Sequence, residues 1–383
     1  MATPPILDIE TLLTPVSEAE PAGPELRSAP DKGVRNLFFT VRDARKKAID
    51  AERRLRNFEL MTEDERKGEP GAPDPPDWAP VQRQAIDALT KSKDLWITAW
   101  LIEALTRLHG FSGLRDGIGL AHQLCDRFWQ ELHPQADKDE GLATRFAQLG
   151  GLDGGSSDGT LVAPIMNLPL TGATSVGQFS FADYKDATEL ERKEPDIRRR
   201  RVEQGAVSIE MFAKAISETS PQFFQSLLDD LVGTSKAFGD FDTFLRQKET
   251  ENAAAGGQSF LPPTSNIREG LDECLRLLRT SAKDKLRKEE AVGGADTTVV
   301  PAGQAGSRGG QAVETRQEAF QTLSRVSEYF RRAEPHSPIS YALEQVVRWG
   351  HMSLPQLLSE LVADRSAREE IFRRAGIPQD KEP

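Results

Sequence analysis

Four residues with side chains that can bind metals fall within one stretch of the sequence: His109, His122, Cys125 and His133. A zinc site built on helices needs ligands such as a His pair four residues apart or a short Cys-x-x-Cys pair. Only His122 and Cys125 approach such a spacing, and no acidic residue is regularly placed beside them. The sequence therefore predicts neither a metal nor a cofactor. We interpret His133 instead as closing a helix, with its ring at the carbonyl end and Pro134 preventing continuation.

Two other patterns only partly match known ligand-binding sequences. The glycine-rich run 150–155 lacks the Gly-Lys-Ser/Thr of a phosphate-binding loop, and no strand precedes it. The arginine run 198–201 follows acidic residues between positions 189 and 196 on the same predicted helix, which favours local ion pairing over nucleic-acid binding. No closely spaced catalytic carboxylate pair is recognisable. We expect a protein that is not an enzyme.

The composition narrows the class of protein. A chain of 383 residues suits two or three domains, and its net charge of -11 is not offset by any basic segment. A duplex-binding domain needs a concentrated positive face, so none is expected. Cys125 and Cys274 lie far apart on apolar helical faces, which indicates a reducing cytoplasm rather than a disulfide framework. Neither a signal peptide nor a membrane span is predicted.

The elements that must position these residues are predicted to be helices. Residues 1–30 are rich in proline and predict an extended arm with at most one helical turn, lying on the domain that follows. Apolar residues at helical spacing predict a long amphipathic helix over 33–61, and the prolines of 68–76 predict a loop. Asp77 is placed to accept hydrogen bonds from the first turn of the next helix, in which Pro80 is tolerated.

Two further helices are predicted over 94–109 and 112–132, separated by Gly110. Their apolar stripes are expected to face each other. The stripes comprise Trp96, Trp100, Leu101, Ala104, Leu105 and Leu108 on the first helix and Leu120, Leu124, Phe128 and Trp129 on the second. Truncation of Trp129 is expected to leave a destabilising cavity.

The predicted fold class is all-α, with several domains of helical bundles or short solenoid modules joined by linkers rich in glycine and proline. A first boundary is expected in the glycine-rich 150–159 and an extended connector over 161–170. Beyond it, Ser220 before Pro221 predicts the capped start of a helix. The expected domains are 1–170, an N-terminal helical domain; 171–289, a middle helical domain; 290–312, a flexible linker; and 313–383, a small helical C-terminal module.

Two blocks of residues, one in each half of the chain, together resemble the pattern of a known family. They contain Asp77, Trp78, Asp94, Trp100, Trp129, His133 and Pro134 in the first block, and Tyr329, Phe330, Glu334, Pro335, His336 and Trp349 in the second. The first block resembles the N-terminal domain of the TssA (ImpA) proteins of bacterial type VI secretion systems, and the second is similar to the C-terminal pattern of shorter members. We take these residues as candidate structural or interface residues.

The resemblance implies a non-enzymatic assembly scaffold that acts at the baseplate or the contractile sheath. It also implies a homo-oligomeric ring built through the C-terminal part. Expected partners are further copies of the chain, the baseplate, sheath and tube proteins and the membrane complex, with no nucleic acid and no membrane insertion. The alternative is a monomeric or dimeric helical adaptor that binds one protein partner. A third possibility is an unrecognised hydrolase with a helical cleft.

The second block has two compatible interpretations. As part of the fold, Pro335 ends one helix near residue 333, and Ser337 caps a new helix whose first residue is Pro338. As an interface, the same turn joins Tyr329, Phe330 and Trp349 in a surface of exposed aromatic residues.

Overall fold

The computed structural model describes residues 2–286, 316–333, 339–352, 356–357 and 360. The chain divides into two compact units, Met1–Thr297 and Thr298–Pro383. In the described residues the secondary structure consists of helices and a few isolated bridges, so the predicted all-α fold is confirmed. The predicted linker 290–312 lies outside the described residues.

The first unit is built from helices that cover most of its length. They are α1 (Ile9–Leu12), α2 (Lys32–Leu60), α3 (Glu63–Arg66), α4 (Ala79–Lys91), α5 (Leu95–Phe128), α6 (Ala143–Asp153), α7 (Val162–Met166), α8 (Phe181–Glu191), α9 (Pro195–Glu203), α10 (Ile209–Glu218), α11 (Pro221–Ala254) and α12 (Ser265–Ser281). The second unit contains α13 (Arg316–Ala333) and α14 (Ile339–His351). None of the helices in these described ranges is both long and apolar enough to span a lipid bilayer.

Helix α5 forms the centre of the first unit, and most of its residues are buried. Gly110 interrupts it with φ 61° and ψ -140°, a conformation that is accessible essentially to glycine alone, and the prediction of two helices separated at this residue is confirmed. Leu108 lies in the last turn before the interruption and is 39% exposed. Its predicted place in the apolar stripe is therefore wrong, since the chain changes direction there.

The N-terminal arm is part of this core. It contains a single short helix, α1, as predicted, and the side chains of Leu12, Leu13 and Leu26 are all buried. An arm that contributes three leucines to the core is held by the hydrophobic effect as well as by hydrogen bonds.

Helices on both sides of residue 170 share one hydrophobic core. Helix α11 packs along α5 and buries Phe224, Leu231 and Phe238 in the same cluster as the apolar residues of α5. The expectation of an extended connector over 161–170 is wrong, because α7 lies within it. One helical turn directs both Leu161 and Ile165 into the core. A boundary between independently folding domains at residue 170 stays a prediction.

The middle helices begin and end largely as predicted, with one correction. Ser220 caps α11 by accepting a hydrogen bond from the amide of Phe223 at 3.2 Å, as predicted. The arginine run 198–201 lies on α9, separate from α8, so the prediction of one helix spanning both is wrong. Pro195 explains the break, because the residue before a proline is disfavoured in a helical conformation.

Candidate functional site

Asp77 and Trp78 organise the start of α4. Asp77 Oδ1 accepts a hydrogen bond from the amide of Ala79 at 3.1 Å, the role predicted for it. Trp78 is buried, and its Nε1 donates to Glu52 Oε1 at 2.8 Å. The guanidinium of Arg107 lies 4.2 Å from the centre of the Trp78 ring and pairs with Glu52 at 2.6 Å. This group joins α2, α4 and α5, so Trp78 is an internal anchor.

Trp100 plays a similar part on the next helix. Its Nε1 donates to Gln148 Oε1 at 3.0 Å, and its ring centre lies 5.1 Å from that of Phe38. Arg45 lies over the ring at 5.7 Å and also pairs with Glu103, which is completely buried. Trp100 therefore ties α5 to α2 and α6, and its buried indole leaves no aromatic surface for a partner.

Asp94 caps α5 at its N-terminus. Its Oδ1 accepts hydrogen bonds from the amides of Trp96 at 2.8 Å and Ile97 at 3.2 Å. The residue is fully buried, and burial raises the pKa of the Asp94 carboxyl above its usual value. Asp94 is thus a structural carboxylate whose proton affinity is set by the core around it.

His133 and Lys93 hold the N-terminal arm against the start of α5. The buried His133 donates from Nε2 to the carbonyl of Gly23 at 2.7 Å. The Lys93 amide donates to the carbonyl of Ala22 at 2.7 Å, and its buried Nζ donates to that of Leu12 at 2.8 Å. Burial lowers the pKa of the Lys93 ammonium. We call this group of residues, Leu12, Ala22, Gly23, Lys93 and His133, the arm clasp.

The predicted role of the His133 ring at the carbonyl end of its helix is wrong. Helix α5 ends at Phe128, and the backbone of His133 pairs in parallel with that of Asp94. The ring therefore points to the arm rather than to the helix end. Pro134 follows through a cis peptide bond, and its carbonyl accepts from the buried Arg145 Nε at 2.8 Å.

Trp129 differs from the other tryptophans of the first block because it is only partly buried. Its ring lies 6.0 Å from Phe146, 5.9 Å from Phe244 and 5.8 Å from Phe260, measured between ring centres. Phe244 belongs to α11, and Phe260 follows it. Trp129 thus links the predicted N-terminal and middle domains, a role that the helical periodicity did not indicate.

One important residue was missed by the sequence analysis. Asp153 is completely buried, and its Oδ2 accepts a hydrogen bond from the amide of Ile267 at 2.9 Å in the first turn of α12. Its Oδ1 accepts from the amide of Gly155 at 3.2 Å. The glycine-rich run thus surrounds a carboxylate that caps a distant helix. Asn266 strengthens the contact by donating to the carbonyl of Asp153 at 3.0 Å.

The second unit presents a different surface. In the described part of the α13–α14 hairpin, the only buried side chains are Ser327 and Ser340, and the Ser327 hydroxyl donates to the carbonyl of Ser340 at 2.9 Å. Tyr329 and Tyr341 are each 66% exposed. Val326 and Val346 are also exposed large apolar residues.

The other candidates of the second block are partly described. Phe330 is half-buried and meets Tyr329 edge to face, with ring centres 5.6 Å apart. Trp349 is half-buried and donates from Nε1 to Glu360 at 3.2 Å. The remaining candidates, Glu334, Pro335 and His336, lie outside the described residues.

The residues with metal-binding or nucleophilic side chains are dispersed. His109 contacts Gln82 through Nε2 at 3.1 Å, and the His122 ring packs against Phe244 with centres 5.0 Å apart. Over the described ranges, His, Cys, Asp and Glu form no group of three that could hold a metal. Burial raises the pKa of the Cys125 thiol and raises that of Cys274 to about 12, so both thiols stay protonated near neutral pH.

Comparisons with known proteins relate the chain to one family. Residues 13–154 match the family model described as ImpA, N-terminal, type VI secretion system. The chain is 23% identical over 310 residues to the type VI secretion system component TssA1 of Pseudomonas aeruginosa, covering 78% of this chain and 84% of that protein. A solved structure from Burkholderia cenocepacia is 26% identical with a TM-score of 0.54, covering 73% of this chain and 95% of that one. It is described as the N-terminal domain of TssA, including the conserved ImpA_N region.

The chain belongs to the TssA (ImpA) family. It is therefore a component of a type VI secretion system. The matched residues 13–154 extend from Leu13 in the arm to Gly154, directly after α6. Apart from Asp77, which is exposed, the first-block candidates of this TssA-family chain are buried or half-buried and hold its helices together.

Proposed function

We propose that this TssA-family protein is a non-enzymatic scaffold that assembles into a homo-oligomeric ring through its C-terminal helices. The ring would act in the cytoplasm at the baseplate or the contractile sheath. Its partners would be baseplate, sheath and tube proteins and the membrane complex. Many weak contacts would act together, because a ring holds its subunits at high effective concentration.

The α13–α14 hairpin carries the proposal. Within the described part of this hairpin no apolar side chain is fully buried, and Val326, Tyr329, Tyr341 and Val346 are exposed, so the two helices leave apolar surface uncovered. Fully burying a large apolar side chain contributes about 1.5–3 kcal/mol, so covering Tyr329, Tyr341 and Val346 with another chain would be strongly favourable. Large apolar side chains left exposed in this number on one hairpin favour an interaction site.

The hairpin has polar features that suit repeated packing with its own copies. Arg331 pairs with Glu344 across the two helices, and Arg332 pairs with Glu328 along α13 at 3.5 Å. These charges are thus partly satisfied within the hairpin, which leaves the aromatic and aliphatic residues as the groups that gain most from association. A closed ring is one arrangement in which every copy covers this surface on a neighbour.

The test is the solution mass of the full chain, measured by light scattering after size exclusion, together with negative-stain images of the peak. The full chain is expected to form a ring. A chain that ends at residue 288 and the double variant Tyr329→Glu, Tyr341→Glu are expected to lose it. The matched control is Arg325→Glu, which changes an exposed polar residue of α13 and should keep the ring.

A monomer or dimer for the full chain would contradict the ring and favour a helical adaptor that binds a single partner. A ring that persists in the double tyrosine variant would leave the oligomer but remove the hairpin as its contact. Assembly in a secreting cell can be followed with the same variants. Loss of secretion with Tyr329→Glu, Tyr341→Glu but not with Arg325→Glu is expected.

A further inference from the structure

Several buried polar atoms around the start of α5 make no hydrogen bond with the rest of the protein. Among the described residues, seven buried side-chain nitrogen and oxygen atoms lack a hydrogen-bond partner, and four of them belong to this region. The four atoms are Arg27 Nε, Ser92 Oγ, Asp94 Oδ2 and His133 Nδ1. We call these four residues the polar cluster. Buried polar groups are normally hydrogen-bonded, so four unpaired atoms in one region need a common explanation.

The backbone places three of these side chains on one side of the chain. Asp94 and His133 are paired in a parallel bridge, which is closed by the His133 amide donating to the carbonyl of Lys93 at 2.9 Å. Residues paired in this way carry their side chains on the same side. Ser92 precedes Asp94 by two positions and has an extended backbone, with φ -156° and ψ 138°. Since side chains alternate along an extended chain, the Ser92 hydroxyl lies on that side as well.

Arg27 approaches the same place from the N-terminal arm. Its guanidinium lies 4.1 Å from the centre of the Trp96 ring, and the Trp96 amide donates to Asp94 Oδ1 at 2.8 Å. Burial raises the pKa of the Asp94 carboxyl, whereas the positive charges of His133 and Arg27 act in the opposite direction, so both groups lie near it. Asp94 Oδ2 nevertheless makes no hydrogen bond with either of them. The unpaired atoms are thus neighbours that are too far apart for direct hydrogen bonds.

The polar cluster offers two acceptors and two donors. The ionised Asp94 carboxylate can only accept hydrogen bonds. His133 Nε2 donates to the carbonyl of Gly23 at 2.7 Å, so in the neutral ring Nδ1 carries the lone pair and accepts. Arg27 Nε can only donate, and the Ser92 hydroxyl is free to donate. A water molecule donates two hydrogen bonds and accepts two, and buried waters typically bond to groups that have no other partner.

We propose that the polar cluster binds one water molecule, which donates to Asp94 Oδ2 and His133 Nδ1 and accepts from Ser92 Oγ and Arg27 Nε. The water connects the arm, through Arg27, to the residues that precede and cap α5. It therefore adds to the arm clasp, in which His133 binds the arm at Gly23. The water site lies within the first unit and is independent of the proposed ring.

The chemistry of the polar cluster disfavours an ion as the occupant. A metal cation would be bound by Asp94 and His133, but it would be repelled by the guanidinium of Arg27. Over the ranges that the structure describes, His, Cys, Asp and Glu form no group of three that could complete such a site. An anion would be repelled by the Asp94 carboxylate, which is completely buried. A neutral molecule that both donates and accepts suits all four atoms.

The direct test is a crystal structure of the full chain at a resolution that shows ordered water. We expect one peak of electron density, with the height of a water oxygen, at about 2.7–3.2 Å from the four atoms. Direct hydrogen bonds among the four side chains, with no peak between them, would overturn the proposal. A peak bound by Asp94 and His133 at about 2.0–2.2 Å would identify a metal ion such as zinc and would overturn it as well.

Substitution of Ser92 tests the water in solution through the sign of the effect. If a water bridges the cluster, Ser92→Ala loses a hydrogen bond and should raise the equilibrium constant for unfolding in urea about fivefold. If the hydroxyl has no partner, removing an unpaired buried group should leave that constant unchanged or lower it. The matched control is Ser235→Ala. The Ser235 hydroxyl is also buried and unpaired, but no other such atom of the described chain belongs to α11, and alanine favours a helix, so this change should not raise the constant.

A double-mutant cycle then tests whether Ser92 and Arg27 share one water. Arg27→Lys keeps the positive charge but removes the Nε donor, and its effects on other contacts of the side chain cancel in the cycle. Ser92 Oγ and Arg27 Nε make no hydrogen bond with each other, so a shared water should make the combined effect on the unfolding constant at least about twofold smaller than the product of the separate effects. Ser235→Ala combined with Arg27→Lys should show no such coupling.

Three results in solution would overturn the proposal. The first is an unfolding constant that Ser92→Ala leaves unchanged or lowers. The second is an equal rise for Ser92→Ala and Ser235→Ala, because the loss of any buried hydroxyl would then explain both. The third is a pair of effects, from Ser92→Ala and Arg27→Lys, that simply multiply in the double variant, since no common partner would then join the two side chains.

Discussion

Replacing Asp153 with alanine should destabilise the first unit as a whole. The carboxylate lies at the end of α6, yet it accepts a hydrogen bond from the first turn of α12, at Ile267. The alanine variant keeps the backbone carbonyl that accepts from Asn266, so only the side-chain contacts are lost. The substitution therefore tests one link between the segments on either side of residue 170.

The size of the effect follows from the burial of the groups. Asp153 is fully buried, so water cannot replace the carboxylate at the Ile267 amide. A hydrogen bond to a charged group contributes about 1.5–3 kcal/mol, and an amide left buried without a partner costs about 1–3 kcal/mol. These two figures describe overlapping effects, so they are not added in full. With a smaller loss at the more accessible Gly155 amide, we expect a decrease of about 2–4 kcal/mol in the free energy of unfolding.

Urea unfolding followed by tryptophan fluorescence is a suitable assay, since four of the five tryptophans lie in the first unit. The matched control is Asp137→Ala. Asp137 accepts hydrogen bonds from the amides of Asp139 at 2.7 Å and Glu140 at 3.1 Å, but it is exposed. Water can replace its carboxylate, so its loss should move the midpoint far less.

Equal shifts for Asp153→Ala and Asp137→Ala would refute the reasoning, because burial would then have no influence on the cost. A second informative result is the shape of the curve. One shifted transition is expected if α6 and α12 unfold together. Two transitions, of which only one moves, would show that the segments on either side of residue 170 unfold independently.

Three further substitutions test other features of the first unit. Gly110→Ala forces a side chain into φ 61° and ψ -140° and should lower the free energy of unfolding, measured by thermal unfolding, by about 1–3 kcal/mol. The control Gly239→Ala lies in open space within α11 and should stabilise the protein slightly. Equal effects of the two substitutions would argue against backbone strain at Gly110. Burial alone raises the pKa of Asp242, but hydrogen bonds from Arg246, Thr264 and Arg268 outweigh it and hold the pKa below its usual value. The ionised carboxylate therefore stabilises the fold at pH values above the unfolded-state pKa. Asp242→Asn should lower the free energy of unfolding by about 1 kcal/mol at pH 7 and by progressively less below about pH 4. A loss of stability that does not change with pH would contradict the pairing of the Asp242 carboxylate with Arg246 and Arg268. Trp129→Ala should lower the free energy of unfolding by about 2–4 kcal/mol, because it removes the ring that packs against Phe146, Phe244 and Phe260. An unchanged denaturation midpoint would rule this contact out as a source of stability.

Local features were predicted well because their causes are local. Asp77 accepts a hydrogen bond from the amide of Ala79 at the start of α4, Gly110 interrupts a helix with its own backbone conformation, and Ser220 caps α11 beside Pro221. Each depends on residues within a few positions, so spacing and residue type are sufficient to indicate it.

Contacts between distant residues were missed for the opposite reason. Asp153 caps a helix through an amide 114 residues away, and nothing near Asp153 in the sequence indicates that partner. The His133 ring was placed on the nearest helix end, whereas it binds the arm at Gly23, 110 residues earlier. Both choices are decided by how helices pack, and helical periodicity predicts which face is buried but not which element covers it.

The shared core has a consequence for exchanging parts between relatives. The segment that matches the family model ends at residue 154, but its Asp153 and Trp129 complete their contacts with Ile267, Phe244 and Phe260 beyond that point. A chimera that transplants only the matched segment would separate these residues from the neighbours they pack against. A transplant that extends to residue 286 carries both sides of each contact, and it is the smallest exchange along the described chain that keeps this core intact.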